Sequence, residues 1–138
     1  MNERPDWDFF IRAMEATDRL YGGSGETNWD RFSDAELYEV APHTFIGFHR
    51  GYFAILVPKD GRPFSRRILV KLAEKLEKTH ELRSIVHHKN VDSIIGTRRL
   101  GATLEGVDDN GYFHYLLTRE SYKYGKVLRP PAAEPAAD

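Results

Sequence analysis

The sequence predicts a mixed α+β or α/β fold, in which helices flank a mostly antiparallel sheet with a central parallel β-α-β unit. Three observations indicate this class. The chain has 138 residues, 41% of them hydrophobic and 30% charged, which is typical of one globular domain. Residues 52–87 show the pattern strand, helix, strand, and the first strand is apolar on both faces. The turn sequence Asp108-Asp109-Asn110-Gly111 joins two more strand patterns into a hairpin.

The first third of the chain is predicted to be helical. An apolar stripe at helical spacing predicts a helix over residues 6–21, and Gly22 is suited to the position just after its end. A second helix is predicted over residues 34–40. Its expected start is a capping box, in which Ser33 is the N-cap and Glu36 stands three residues later.

The centre of the chain then changes to a strand pattern. Residues 44–48 and 52–57 predict two strands that are joined by a tight turn at residues 49–51. Residues 58–64 form a loop. Ser65 caps a strong amphipathic helix that continues to about residue 79.

The last part of the chain is predicted to form a strand, a helix and a hairpin. Residues 82–87 predict a strand, and residues 90–100 predict a helix with Asn90 as its N-cap. Residues 103–107 and 112–118 form the terminal hairpin. We therefore expect one domain over residues 1–128 and a disordered tail over residues 129–138, which are rich in Pro and Ala.

Composition excludes several classes of function. The 20 Lys and Arg balance 21 Asp and Glu, whereas nucleic-acid binders usually carry a basic excess. The chain has no cysteine, so it has no disulfide, thiolate nucleophile or Cys-ligated metal. Its histidines are scattered without metal-ligand spacing. No apolar run would span a bilayer, and the charged N-terminus lacks a signal core, which favours a cytoplasmic protein.

One segment carries a family resemblance. Residues 90–102 place Asn90 at a helix start, Ser93 in the first turn, and Leu100 and Gly101 at the helix end before a strand. This spacing and the order of elements resemble the GNAT superfamily of N-acetyltransferases. Small, divergent GNAT-like proteins of tailed phages are similar in style, and some of them are virion or accessory proteins.

The resemblance implies a site for acetyl-CoA. It implies that the strands ending near Val57 and His87 diverge into a V-shaped cleft, and that Asn90 holds the pantetheine arm of the cofactor. The residues it implies for cofactor binding are Ile55, Leu56, Val57, Gly61, Arg62, Ser65, Arg66, Arg67 and Asn90. The alternative for Asn90 is a plain helix cap.

The sequence departs from the family pattern in two features, the pyrophosphate-binding loop and the general acid. The family binds pyrophosphate with a glycine-rich loop, but here Pro63 lacks an N–H and Phe64 stands where a small residue is expected. Thr97 occupies the position of the usual tyrosine general acid. Arg66 and Arg67 in the first helical turn oppose the macrodipole by about 0.3–1 kcal/mol each, a conflict that a bound phosphate would relieve. Alternatively, both side chains simply extend into water.

His87, His88 and Glu105 are the candidate catalytic bases, with water as a further possibility. Adjacent residues of a strand point to opposite faces, so one histidine could line the cleft. The alternative is a partly buried and an exposed histidine at a strand end. Tyr122 or Tyr124 could replace the missing acid only if the chain folds back toward the cleft.

Two functions remain open at this point. The first is transfer of an acetyl group from acetyl-CoA to an amine on a protein or a small molecule. The second is a non-catalytic module that keeps the fold and binds a protein partner, as in phage particle assembly or host takeover.

Overall fold

The computed structural model describes residues 5–23 and 34–128. Ser33, the glycine-rich residues 24–25 and the predicted tail at residues 129–138 lie outside these ranges. The elements in chain order are α1 (Trp7–Leu20), β1 (Glu36–Ala41), β2 (Thr44–His49), β3 (Tyr52–Leu56), α2 (Arg66–Thr79), β4 (Glu81–His87), α3 (Val91–Arg99), β5 (Thr103–Val107), β6 (Tyr112–Thr118) and a final 3₁₀ turn (Gly125–Leu128).

The six strands form one mixed sheet in the order β1-β2-β3-β4-β6-β5. All neighbouring strands are antiparallel except β3 and β4, which are parallel and are connected through α2. The predicted mixed sheet and its central β-α-β unit are therefore confirmed. So is the terminal hairpin, in which Asp108 accepts hydrogen bonds from the amides of Asn110 and Tyr112.

The predicted helix over residues 34–40 is wrong, because Glu36–Ala41 forms strand β1 and pairs with β2. Side chains alternate along this segment. Leu37 packs on the face covered by α1, whereas Tyr38 and Val40 pack on the opposite face, which α2 covers. A strand buries both sets of apolar side chains, which outweighs the local capping signal.

Helices cover the two faces of the sheet. On one face, Phe10 of α1 is fully buried against Leu37 and Phe45. On the other, α2 inserts an apolar stripe of Ile68, Leu69, Leu72, Ala73 and Leu76. Burial of each Ile or Leu of this stripe contributes roughly 1.5–3 kcal/mol, so α2 is a major support of the sheet.

The ends of the helices follow the predicted local chemistry. Ser65 caps α2 by accepting a hydrogen bond from the Ile68 amide, at 3.5 Å. Gly22 follows α1 with a φ of +101°, and Gly101 follows α3 with a φ of +108°. Both lie in the left-handed region, where glycine has no steric penalty. Within residues 5–23 and 34–128, no helix is long and apolar enough to cross a membrane.

We predict that Glu36→Gln weakens the fold in a pH-dependent way. Lys75 of α2 donates a hydrogen bond to the Glu36 carboxylate at 2.8 Å, and this contact lowers the pKa of Glu36 below its usual value. A lowered pKa means that the stabilisation is complete above the unfolded-state value, about 4.3, and is lost as the pH falls through the folded-state value. Both side chains are partly exposed, so we expect a loss of at most about 1 kcal/mol at pH 7.

Urea denaturation of wild type and Glu36→Gln at pH 7 and pH 3 measures this loss. Glu74→Gln is the matched control, because Glu74 makes only a loose contact of 3.9 Å with Lys71. A destabilisation of Glu36→Gln that is equal at the two pH values would contradict the prediction.

Candidate functional site

A cleft opens in the middle of the sheet, between β3 and β4. The two strands share one paired position, Tyr52 with Arg83, where the Arg83 amide also donates to the Gly51 carbonyl at 2.7 Å. Beyond this position the strands part, and a cavity of about 790 Å³ lies between them. The cavity passes through the sheet, so that α1 borders one end and α3 borders the other.

The wall of the cleft is apolar in the middle and acidic at the ends. β3 contributes Phe53 to Leu56, and β4 contributes Ser84 to His87. Asp18, Asp92 and Asp108 line the cleft, whereas no Lys or Arg is among the described residues of the wall. The Asp108 carboxylate is already engaged by the amides of Asn110 and Tyr112 and by His114, so Asp18 and Asp92 supply the acidic character. The site therefore suits an uncharged chain in its centre and a cationic group at its acidic ends.

Asp18 and Tyr112 form a hydrogen-bonded pair at the α1 end. The Tyr112 hydroxyl donates to Asp18 Oδ1 at 2.6 Å. Burial, with the neighbouring Asp18 carboxylate, raises the pKa of Tyr112 to about 12, so the phenol stays protonated at neutral pH. Gly23 lies so close that any Cβ there would collide with both side chains. Any other residue at position 23 would therefore displace the pair.

His87 and His88 meet at the end of β4. His87 lines the cleft and is only 8% exposed, whereas His88 is exposed. Their rings do not point to opposite faces as expected; they stack with centroids 4.5 Å apart. The alternation of a strand does not apply here, because β4 ends at His87 and His88 belongs to the following turn. The Tyr112 ring meets His87 edge-on at 5.0 Å.

Four of the predicted cofactor residues line the cleft. Ile55, Leu56 and Val57 form one wall, and Asn90 stands at the start of α3. Asn90 also caps that helix, because its Oδ1 accepts a hydrogen bond from the Ser93 amide at 3.3 Å. The cap uses the side-chain oxygen of Asn90 and keeps the residue on the cleft wall.

The loop before α2 is arranged differently from a phosphate cradle. Pro63 and Phe64 line the cleft, but the remaining predicted residues lie outside its wall: Gly61, Arg62, Ser65, Arg66 and Arg67. The Gly61 amide closes a turn onto the Pro58 carbonyl at 2.7 Å.

The side chains at the start of α2 are also engaged elsewhere. The Ser65 hydroxyl caps α2, and the Arg67 guanidinium donates to the Val40 carbonyl at 2.8 Å. Arg67 therefore ties α2 to β1 in this structure, and it is directed away from the cleft wall.

Glu105 lies apart from the cleft. It accepts a hydrogen bond from Arg83 at 3.0 Å on the solvent-exposed surface of the sheet, where both side chains are more than a third exposed. Two tyrosines that could have supplied an acid are also placed elsewhere. Tyr122 is buried and donates to the Leu69 carbonyl at 2.8 Å, and Tyr124 packs on Phe64.

Thr97 and Asp18 complete the polar wall. Thr97 is 8% exposed and faces the cleft from α3, at the position expected for the family's tyrosine. Asp18 is the residue that sequence reasoning missed. It occupies an ordinary polar position of α1, and only the glycines at residues 22 and 23 hint that its surroundings are crowded. Within the part of the chain that the structure describes, no group of three His, Asp or Glu could hold a metal ion.

We predict that Asp18→Asn lowers the pKa of Tyr112 from about 12 part of the way toward the ordinary value of 10. Burial is the larger cause of the raised pKa and stays in the variant, whereas the carboxylate that opposes formation of a phenolate beside it is removed. Tyrosine ring-carbon NMR as a function of pH, assigned with Tyr112→Phe, measures the shift. Asp92→Asn is the matched control, since Asp92 lies on the same wall but does not contact Tyr112. An unchanged pKa in Asp18→Asn would show that the pair does not form.

Comparison with known proteins leaves the chain without a family assignment. A scan against protein-family models finds no match. A search of curated proteins finds no significantly similar sequence.

Proposed function

We propose that this chain binds acetyl-coenzyme A through its pantetheine arm in the cleft between β3 and β4, and that it transfers the acetyl group to an amine. The observation that carries the proposal is the parting of two parallel strands after one paired position. The resemblance at residues 90–102 implies the cofactor arm at this place, and the cleft is open rather than filled by side chains.

The strand edges suit an extended, amide-containing chain. β3 is held by five pairs to β2, and β4 is held by seven pairs to β6. In a strand, alternate backbone groups point to either side, so groups of β3 and β4 also face the cleft. A pantetheine arm carries amides along a narrow chain, and it can pair with such an edge as an added strand does.

The pyrophosphate end of the cofactor fits less well. The Gly61 amide is engaged by the Pro58 carbonyl and the Ser65 hydroxyl caps α2, and Pro63 has no N–H. Lys59, Arg62 and Arg66 supply positive charge near this loop. We therefore place the pantetheine arm in the cleft. The cations outside the cleft contribute only long-range attraction to the phosphates of the cofactor.

The bound thioester would supply the acetyl group. The cationic amine first loses one proton to a general base, which frees its lone pair. That lone pair forms the C–N bond while the C–S bond breaks with its electron pair remaining on sulfur. The second nitrogen proton passes through water to that sulfur, so the cofactor leaves as a thiol. The chain's own residues orient the amine. Asp18 and the Tyr112 oxygen can accept hydrogen bonds from its N–H groups at the acidic end of the cleft, so the favoured acceptor is a cationic amine on a small molecule or a protein.

A non-catalytic protein-binding module is the second candidate. It is favoured by Thr97, whose hydroxyl is too weakly acidic to replace a tyrosine, and by Phe64, which lines the cleft where a small residue is expected. In that case the fold would serve a protein partner, and the cleft would not turn over a thioester.

We predict that acetyl-coenzyme A raises the melting temperature by several degrees, because a ligand at a hundred times its dissociation constant stabilises the fold by about 2.7 kcal/mol. Gly96→Leu should abolish this shift. A Cβ at Gly96 would meet only the Phe64 ring, at 3.6 Å, so a larger side chain can extend into the cleft and block it. The new residue also favours the helix, so we expect α3 to keep its structure.

Differential scanning fluorimetry measures both effects. Gly125→Leu is the matched control, because nothing lies within 4 Å of a Cβ there and the residue is outside the cleft wall. The absence of a shift with wild type at millimolar acetyl-coenzyme A would sink the proposed enzyme, and an undiminished shift in Gly96→Leu would remove the cleft from the binding site.

We also predict that acetyl-pantetheine, which lacks the pyrophosphate, binds within about tenfold of acetyl-coenzyme A. The physical reason is that the loop amides and the Ser65 hydroxyl are committed within the protein. Isothermal titration calorimetry gives both dissociation constants. A preference for acetyl-coenzyme A of a hundredfold or more would mean that the loop does hold the phosphates.

A further inference from the structure

The two stacked histidines at the end of β4 have hydrogen bonds that fix opposite tautomers. The Lys89 amide donates to His87 Nδ1 at 3.2 Å. A backbone N–H can only donate, so His87 Nδ1 must hold a lone pair. In the neutral ring the proton of His87 is therefore on Nε2.

His88 has the reverse arrangement. Its Nδ1 lies 2.9 Å from the Gly111 carbonyl oxygen. A carbonyl can only accept, so Nδ1 of His88 carries a proton, and in the neutral ring the lone pair is on Nε2. The His88 ring also lies against Gly111 itself. A Cβ at that position would be only 2.6 Å from His88 Nδ1.

The protonated nitrogen of His87 is turned toward the α1 end of the cleft. A Cβ at Gly22 would be 3.9 Å from His87 Nε2, so this atom lies beside the turn that ends α1. The same end of the cleft holds the pair of Asp18 and Tyr112. An N–H donor and two oxygen acceptors therefore share one small region of the wall.

We infer that His87 is the hydrogen-bond donor to the thioester carbonyl oxygen in the proposed reaction, and not the base that deprotonates the amine. The inference rests on the proposed function for the identity of the carbonyl. A donor aimed at an oxygen that gains negative charge as the C–N bond forms lowers the barrier, and a single such donor contributes about 10²–10³ in rate. Burial strengthens the effect, since His87 is only 8% exposed.

The base role then falls to another group. To act as a base, neutral His87 would have to accept a proton on Nδ1 and give up the hydrogen bond from Lys89. The charged and titratable groups that face His87 are His88 from the turn after β4, Tyr112 from β6, and Asp18 from α1 through Tyr112. His88 has its lone pair on Nε2, and water is the other available base.

Nitrogen-15 NMR of the histidine rings tests the tautomers in the ligand-free protein. Long-range proton–nitrogen correlations should give the Nε2–H form for His87 and the Nδ1–H form for His88, with His87→Gln and His88→Gln as assignment controls. An Nδ1–H form at His87 would overturn the inference. The NMR result does not depend on acetyl-coenzyme A. A failure to bind the cofactor, seen by fluorimetry, would contradict the proposed function and would leave the tautomers unchanged.

Two substitutions separate donor from base by kinetics. The amide nitrogen of Gln can replace a donor at Nε2, whereas the shorter Asn reaches only the position of Nδ1. We expect His87→Gln to keep most of kcat with an unchanged pH profile, and His87→Asn to lose about 10²–10³ of it. Comparable losses in both variants, together with loss of the acidic limb of the pH profile, would assign His87 as the base and refute the donor role. Melting curves of each variant show whether it is folded.

Discussion

The short contact between β3 and β4 is the constraint on which the rest of the structure depends. One paired position joins two halves of the sheet, and each half is held internally by antiparallel ladders. Because each half has its own antiparallel ladders and α2 packs across both halves in one core, the parallel pair can part without loss of the core. The cleft is a consequence of this division. Each candidate residue is assessed by whether it lines the cleft or lies outside its wall.

Charge is distributed in relation to the same division. The chain is almost neutral overall, but the cleft wall contains three aspartates, while Lys59 and the arginines that begin α2 lie outside that wall. In the proposed reaction, a cationic acceptor and an anionic cofactor would therefore approach from different sides. The Asp18–Tyr112 pair and the tautomer of His87 concentrate donors and acceptors at the α1 end of the cleft, where the proposed reaction would be oriented.

Much of the fold followed from local pattern, and the failures have identifiable causes. The stripe of α2, the crossover to β4 and the Asp108 turn are strong signals because each matches one period or one turn type. Residues 34–40 carried a capping signal and an alternating pattern at once, and pairing with β2 decided between them. For His87 and His88, alternation ceased to apply because the strand ended between them. Of the candidate site, Asn90 and the end of β3 could be found from sequence, whereas Asp18 could not.

By itself, the sequence determined the composition of the core, the helix caps and the order of most elements, because these depend on residues close together in the chain. The tertiary structure alone decided which polar groups meet. Asp18 and Tyr112 are 94 positions apart and are joined by a hydrogen bond that no local pattern encodes. Glu105 pairs with Arg83 on the solvent-exposed surface of the sheet. Arg67 donates to the carbonyl of Val40, away from the cleft. The reason is physical: a side chain's partner across the sheet is set by register and by where the strands part, and both are properties of the assembled sheet.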